Sequence, residues 1–160
     1  TPQDVYRRPA NVFVATFLGA PPMNLIDGAL VAAAGGGWRF HGQNVDVHVS
    51  QELLEGDAGG NVKLGLRPEH FRIGAPGQDG GIPGRVRFLE PVGSDLYLTV
   101  EAGGGTVQVR TDPDSPVQPD ENVSLTFDPS RVHVFGADGH NLRRDAPNLD
   151  APAALVEAAS

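Results

Sequence analysis

The sequence predicts a mainly β protein whose short antiparallel strands close into one or two small barrels, with a single short helix near the N-terminus. Three observations lead there. The 160 residues include 21 glycines and 14 prolines, spread without a Gly-X-Y period, which excludes collagen and long helical bundles and favours many turns. From Asn24 onward the apolar residues recur with period two, the spacing of a half-buried strand. The alternating runs come at hairpin intervals, about ten of them, as in closed antiparallel sheets.

Taken in order, Pro9 suits a first helical position, and Phe13/Phe17 and Val14/Leu18 stand four apart until Gly19 and Pro21-Pro22 end the helix. Residues 24–34 form an apolar run read as a strand. Gly35-Gly36-Gly37 then separates it from Trp38-Arg39-Phe40, and Val45, Val47 and Val49 alternate with Asp46 and His48. Residues 51–56 suit a helical turn, and 61–66 a strand ended by Arg67-Pro68. Residues 70–73 are short and extended, and 75–81 a flexible connection. A second block opens at Ile82, where Arg85 and Arg87 alternate with Val86 and Phe88 towards Glu90. Gly93-Ser94-Asp95 turns the chain into Leu96, Leu98 and Val100, and Gly103-Gly104-Gly105 into Val107 and Val109. After the loop at 112–116 come Val123-Leu125-Phe127 and Val132-Val134, with Asp138-Gly139 as a closing turn. The reading divides the chain into a leading segment 1–20, a barrel domain 21–143 and a flexible tail 144–160.

Composition narrows the function. Twelve cations, of which only Lys63 is lysine, face 20 carboxylates, for a net charge of −8. Such a surface repels phosphate backbones and anionic lipid, so a nucleic-acid role is not expected. With no cysteine, thiolate metal and redox chemistry is out of reach. No apolar run reaches membrane-spanning length. The only methionine is Met23, and the chain reads as part of a longer one. No phosphate-binding loop surrounds Lys63, no nucleophile motif or His-Glu-x-x-His occurs, and His48 and His133 fall in alternating runs as surface or edge residues. Catalytic, cofactor and metal residues are therefore all expected to be none.

Two local motifs stand out. In Gly65-Leu66-Arg67-Pro68-Glu69-His70, Pro68 ends strand pairing, and Arg67 and Glu69 flank a rigid corner where an arginine can hold a carboxylate. In Glu90-Pro91-Val92-Gly93-Ser94-Asp95 a strand ends in an acidic turn, which composition alone explains as a solvated one.

The order of several motifs resembles the ATP-binding subunits of maltose and multiple-sugar type ABC importers. They are Pro2-Gln3-Asp4-Val5-Tyr6, Pro9 to Ala15, Phe17-Leu18-Gly19-Ala20-Pro21-Pro22-Met23-Asn24, the Arg67 corner, Glu90 to Ser94, and Asp128-Pro129-Ser130-Arg131-Val132-His133-Val134-Phe135 with Asp138-Gly139. The resemblance implies an OB-like regulatory barrel of the TOBE type, following the end of a nucleotide-binding domain. It implies ATP and Mg in the parent subunit but none in this chain, whose residues lack the ATPase motifs. Implied partners are the chain's own nucleotide-binding domain, a second ATPase subunit and the permease chains, at the inner face of the cell membrane. Arg67, Pro68, Glu69, Glu90, Gly93 and Ser94 become the regulatory or interface candidates, and Phe13, Phe17 and Leu18 the residues that pack on the ATPase domain. The alternative is a barrel that binds a small oxyanion such as molybdate, with backbone N–H groups at glycine-rich turns as donors.

Overall fold

The structure is a computed structural model that describes residues 22–56 and 59–145. The expected helix with Phe13, Phe17 and Leu18, the segment 1–20 and the tail beyond 145 lie outside the described residues.

Among the described residues, ten strands form two five-stranded antiparallel sheets. The first contains β1 (Asn24–Ala32), β2 (Trp38–Gly42), β3 (Val45–Val49), β4 (Gly60–Leu66) and β10 (His133–Phe135), in the order β10-β4-β1-β2-β3. The second contains β5 (Arg72–Gly74), β6 (Ile82–Val92), β7 (Asp95–Ala102), β8 (Gly105–Thr111) and β9 (Asn122–Thr126), in the order β5-β9-β6-β7-β8. Each sheet therefore takes one short strand from the other half of the chain. The chain passes from β4 to β5 through a 3₁₀ turn, Pro68–His70, and from β9 to β10 through another, Pro129–Arg131. Both turns place proline at the first position, where its fixed φ suits the turn and its missing N–H costs nothing.

Alternation sets the core. Ile26, Leu30, Phe40, Val45, Val47, Val49, Leu64 and Leu66 from the first sheet and Ile82, Val86, Leu98, Val100, Val107, Val109, Val123 and Leu125 from the second form one buried cluster. Each such side chain contributes about 1.5–3 kcal/mol on burial. Gly28 belongs to this inner face, and a Cβ there would stand 2.4 Å from the Phe40 ring and 2.4 Å from the carbonyl oxygen of His41. The ring of Phe40 occupies the space that any larger residue would need. On the opposite face of the first sheet, Met23 and Phe135 form a smaller buried cluster with Leu25; both crowd over Gly65, each 2.7 Å from where its Cβ would lie.

Alternation fails at one place. Strand β6 pairs Val86 with Val100 but Phe88 with Thr99, so Arg87 is bulged out. The inward positions switch from even to odd numbers there. Phe88, expected to share the side of Val86, is instead 66% exposed, and Leu89 packs on the core. The expected turn at 51–56 carries an isolated bridge between Leu54 and Arg143. Backbone pairing to this segment continues to Arg144, whose N–H donates to Leu53 O at 3.0 Å.

Candidate interaction surfaces

The corner Arg67-Pro68-Glu69-His70 is the first of the two crossings between the sheets. Arg67 has φ −72° and ψ 146°, the extended conformation imposed by the following proline. It is not at the surface: Arg67 is 1% exposed and among the largest fully buried side chains, and Pro68 is buried beside it. This corrects the choice of Arg67 and Pro68 as interface candidates, because the fold encloses both side chains. A contact at this corner reaches Glu69 and His70, both half-buried. Burial, together with Arg131, Arg67 and Arg110, holds the His70 imidazole below its ordinary pKa of 6.5, and Glu69 opposes them in part. Its Nδ1 is buried without a hydrogen-bond partner.

The second crossing is built from Asp128-Pro129-Ser130-Arg131. Asp128 Oδ1 accepts from Ser130 N at 2.9 Å and from Ser130 Oγ at 2.8 Å, and these two bonds hold its carboxyl below the usual range. Arg143 fastens the far side: its Nη1 donates to Ser130 O at 2.9 Å and Val132 O at 3.0 Å, and its Nε to Asp145 Oδ1 at 2.8 Å. The Arg67 corner and the Asp128 segment therefore perform the same structural task at two places.

Glu90, Gly93 and Ser94 lie elsewhere, on the second sheet. Glu90 is exposed and pairs across the strands with Tyr97, which pairs in turn with Arg110. Gly93 adopts φ 60° in the two-residue turn with Ser94 that joins β6 to β7; glycine takes that conformation without steric cost. Pro91 stands where β6 pairs with β7 but is beyond the stretch covered by β9, so its missing N–H breaks no ladder bond.

Residues outside the interface candidates complete the picture. Asn24 lies at the start of β1, yet its side chain bonds the edge strand of the other sheet. Its Nδ2 donates to Gln108 O at 2.8 Å and its Oδ1 accepts from Gln108 N at 2.8 Å. The amide thus acts as a neighbouring strand would. A cleft of about 570 Å³ runs between the halves, with Val47, Leu53 and Phe127 on its walls and Arg39, Asp46 and His48 at its rim. Arg39 Nε lies 2.7 Å from Asp46 Oδ1, and His41 Nδ1 is 3.6 Å from the same oxygen. His48 is exposed, as expected. His133 departs from expectation: it sits on the edge strand β10 but is only 3% exposed, with Nδ1 3.0 Å from Asn141 Nδ2 and its ring stacked on Phe135. No group of three or more potential metal ligands occurs among the described residues.

Two interleaved five-stranded sheets joined by proline-led crossings define the class, and comparison with known proteins identifies it. The chain matches the family description MalK OB fold domain over residues 19–71 and TOBE domain over residues 64–135. It belongs to this TOBE and OB-fold family, as found in ATP-binding subunits of ABC importers. It is 36% identical over 141 residues to the sulfoquinovosyl glycerol transport ATP-binding protein SmoE of Agrobacterium fabrum, covering 86% of this chain and 38% of that protein. Similarity to sn-glycerol-3-phosphate import ATP-binding proteins UgpC is comparable. Identity is 36% over 137 residues with that of Paracoccus denitrificans (84% of this chain, 36% of that protein). With that of Salmonella typhimurium it is 40% over 110 residues (69% and 30%). The chain thus spans about a third of the length of these relatives, 30–38%. Among solved structures, the cytoplasmic molybdate-binding protein ModG in its molybdate-bound form shares the fold, with a TM-score of 0.56, 16% identity, and coverage of 71% of this chain and 95% of that one.

Proposed function

We propose that this chain is the regulatory and dimerisation module of the ATPase subunit of an ABC importer for sugars or related solutes. In the assembled subunit, ATP and Mg bind the preceding nucleotide-binding domain, which packs on this module through Phe13, Phe17 and Leu18. The permease chains engage the same assembly at the inner face of the membrane. The single observation that carries the reading is the similarity to importer ATP-binding proteins over 86% of the chain.

The physical role follows from rigidity. A module with one continuous core and two pinned crossings does not deform when the nucleotide sites open. A contact between two such modules holds the ATPase halves at high effective concentration and favours their closing again. Light scattering on the full-length subunit, with and without residues 20–160, tests this: the intact subunit should dimerise more tightly, and equal dimerisation by the truncated one would remove the tethering role. The fold shared with a molybdate-binding protein supports a second reading, an oxyanion site. Calorimetric titration with molybdate, tungstate and sulfate separates the two, since saturable heat would favour that site over the mechanical role.

A further inference from the structure

The outer face of the β6-β7-β8 sheet carries apolar side chains that the core does not use. Phe88 is 66% and Val92 49% exposed, two of the three large hydrophobics so exposed among the described residues. The Arg87 bulge puts them there, on the same side as Glu90. Across the strands the register gives one row, Glu90–Tyr97–Arg110, beside a second, Phe88–Thr99–Gln108. Most other charges on this face are paired: Arg85 with Asp120 at 3.4 Å, and Arg87 with Glu101 at 3.3 Å and Asp120 at 3.7 Å. Glu90 and Arg110 form no ion pair among the described residues. They stand two strands apart, roughly 10 Å, at opposite ends of their row.

We propose that this face is a self-complementary docking surface for a second copy of the chain, related by a two-fold axis along β7. The proposal rests on the dimerisation reading above and specifies its surface. An isologous contact between two sheet faces has its axis in the plane between them. An axis across the strands would set Glu90 against Glu90 and Arg110 against Arg110. An axis along β7 sets Glu90 of each copy against Arg110 of the other, twice, with Tyr97 meeting its counterpart in the centre. Phe88 then covers the row of Thr99 and Gln108 and loses its exposure to water. An aromatic centre with charges at its rim is the usual make-up of such interfaces. The net charge of −8 opposes approach, but at physiological salt it is screened beyond about 8 Å, which leaves the short-range pairs to decide the register.

Sedimentation of this chain over a concentration series provides the test, with Glu90→Arg, Arg110→Glu and Phe88→Ser as variants. All three sites are exposed, and circular dichroism should show an unchanged fold. Each single charge reversal turns two attractions into repulsions and should weaken self-association about tenfold; Phe88→Ser should weaken it as well. Mixing the Glu90→Arg and Arg110→Glu chains should restore association, because each reversed residue then meets an opposite charge. A wild-type dimer indifferent to all three substitutions, or reversals that mixing does not rescue, would overturn this surface and leave dimerisation standing. A wild-type chain that stays monomeric at every concentration would overturn both, with a partner of another kind left to cover the face.

Discussion

At the scale of single residues, the crossings show how much one side chain can decide. Arg67 carries a charge into the interior of the corner, and His70 beside it feels both burial and three arginines. The consequence has a definite sign. In the folded chain His70 resists protonation, whereas in the unfolded chain it titrates near 6.5. As pH falls below about 6.5 the unfolded state binds the proton first, so stability declines until the native imidazole also protonates, and it is unaffected above that range. Thermal melts of wild type and His70→Gln across this interval should show a shallower decline for the variant; parallel curves would exclude His70 as the cause. Pro68 made this corner legible in the sequence, because a proline fixes its own φ and restricts the residue before it. The depth of Arg67 was not legible, since burial depends on the second sheet closing over it. The same holds for His133, whose alternating neighbours gave no sign that residues 140–143 would return to cover β10.

At the scale of elements, period-two alternation identified most strands and their inward faces. Valines at 45, 47 and 49 and at 107 and 109 point inward as their spacing requires. It failed at β6, because a bulge needs no marker residue and Arg87 looks like any strand position. Nor could it show that Asn24 would replace a strand for Gln108, 84 residues away. Asn24→Ala should leave a partly buried N–H and C=O without partners, at a cost of about 1–3 kcal/mol. Denaturant unfolding should show the loss as a lower midpoint at unchanged slope, and the amide of Gln108 should exchange faster with solvent. Neither change would appear if water satisfied those groups equally well. Of the candidate contact residues, Glu90, Gly93 and Ser94 lie exposed at the second sheet, while Arg67 and Pro68 lie inside the first crossing. The shared role of the two crossings, at 67–70 and 128–131, emerges only once the sheets are assembled.

At the scale of the whole molecule, the alternating runs pointed to one or two small barrels, and the two sheets prove to exchange strands reciprocally: β5 joins the second sheet and β10 the first. Side chains from both sheets form one core cluster. The chain should therefore unfold in one cooperative step, with calorimetric and van't Hoff enthalpies in agreement; two resolved transitions would show the sheets to be independent.

The reciprocal strand exchange has a further consequence for how the gene can be cut. Severing the polypeptide within 75–81 yields two pieces that each lack an edge strand encoded by the other. Neither should be soluble alone. Co-expressed, they should find each other and reassemble, as the halves of a split reporter do.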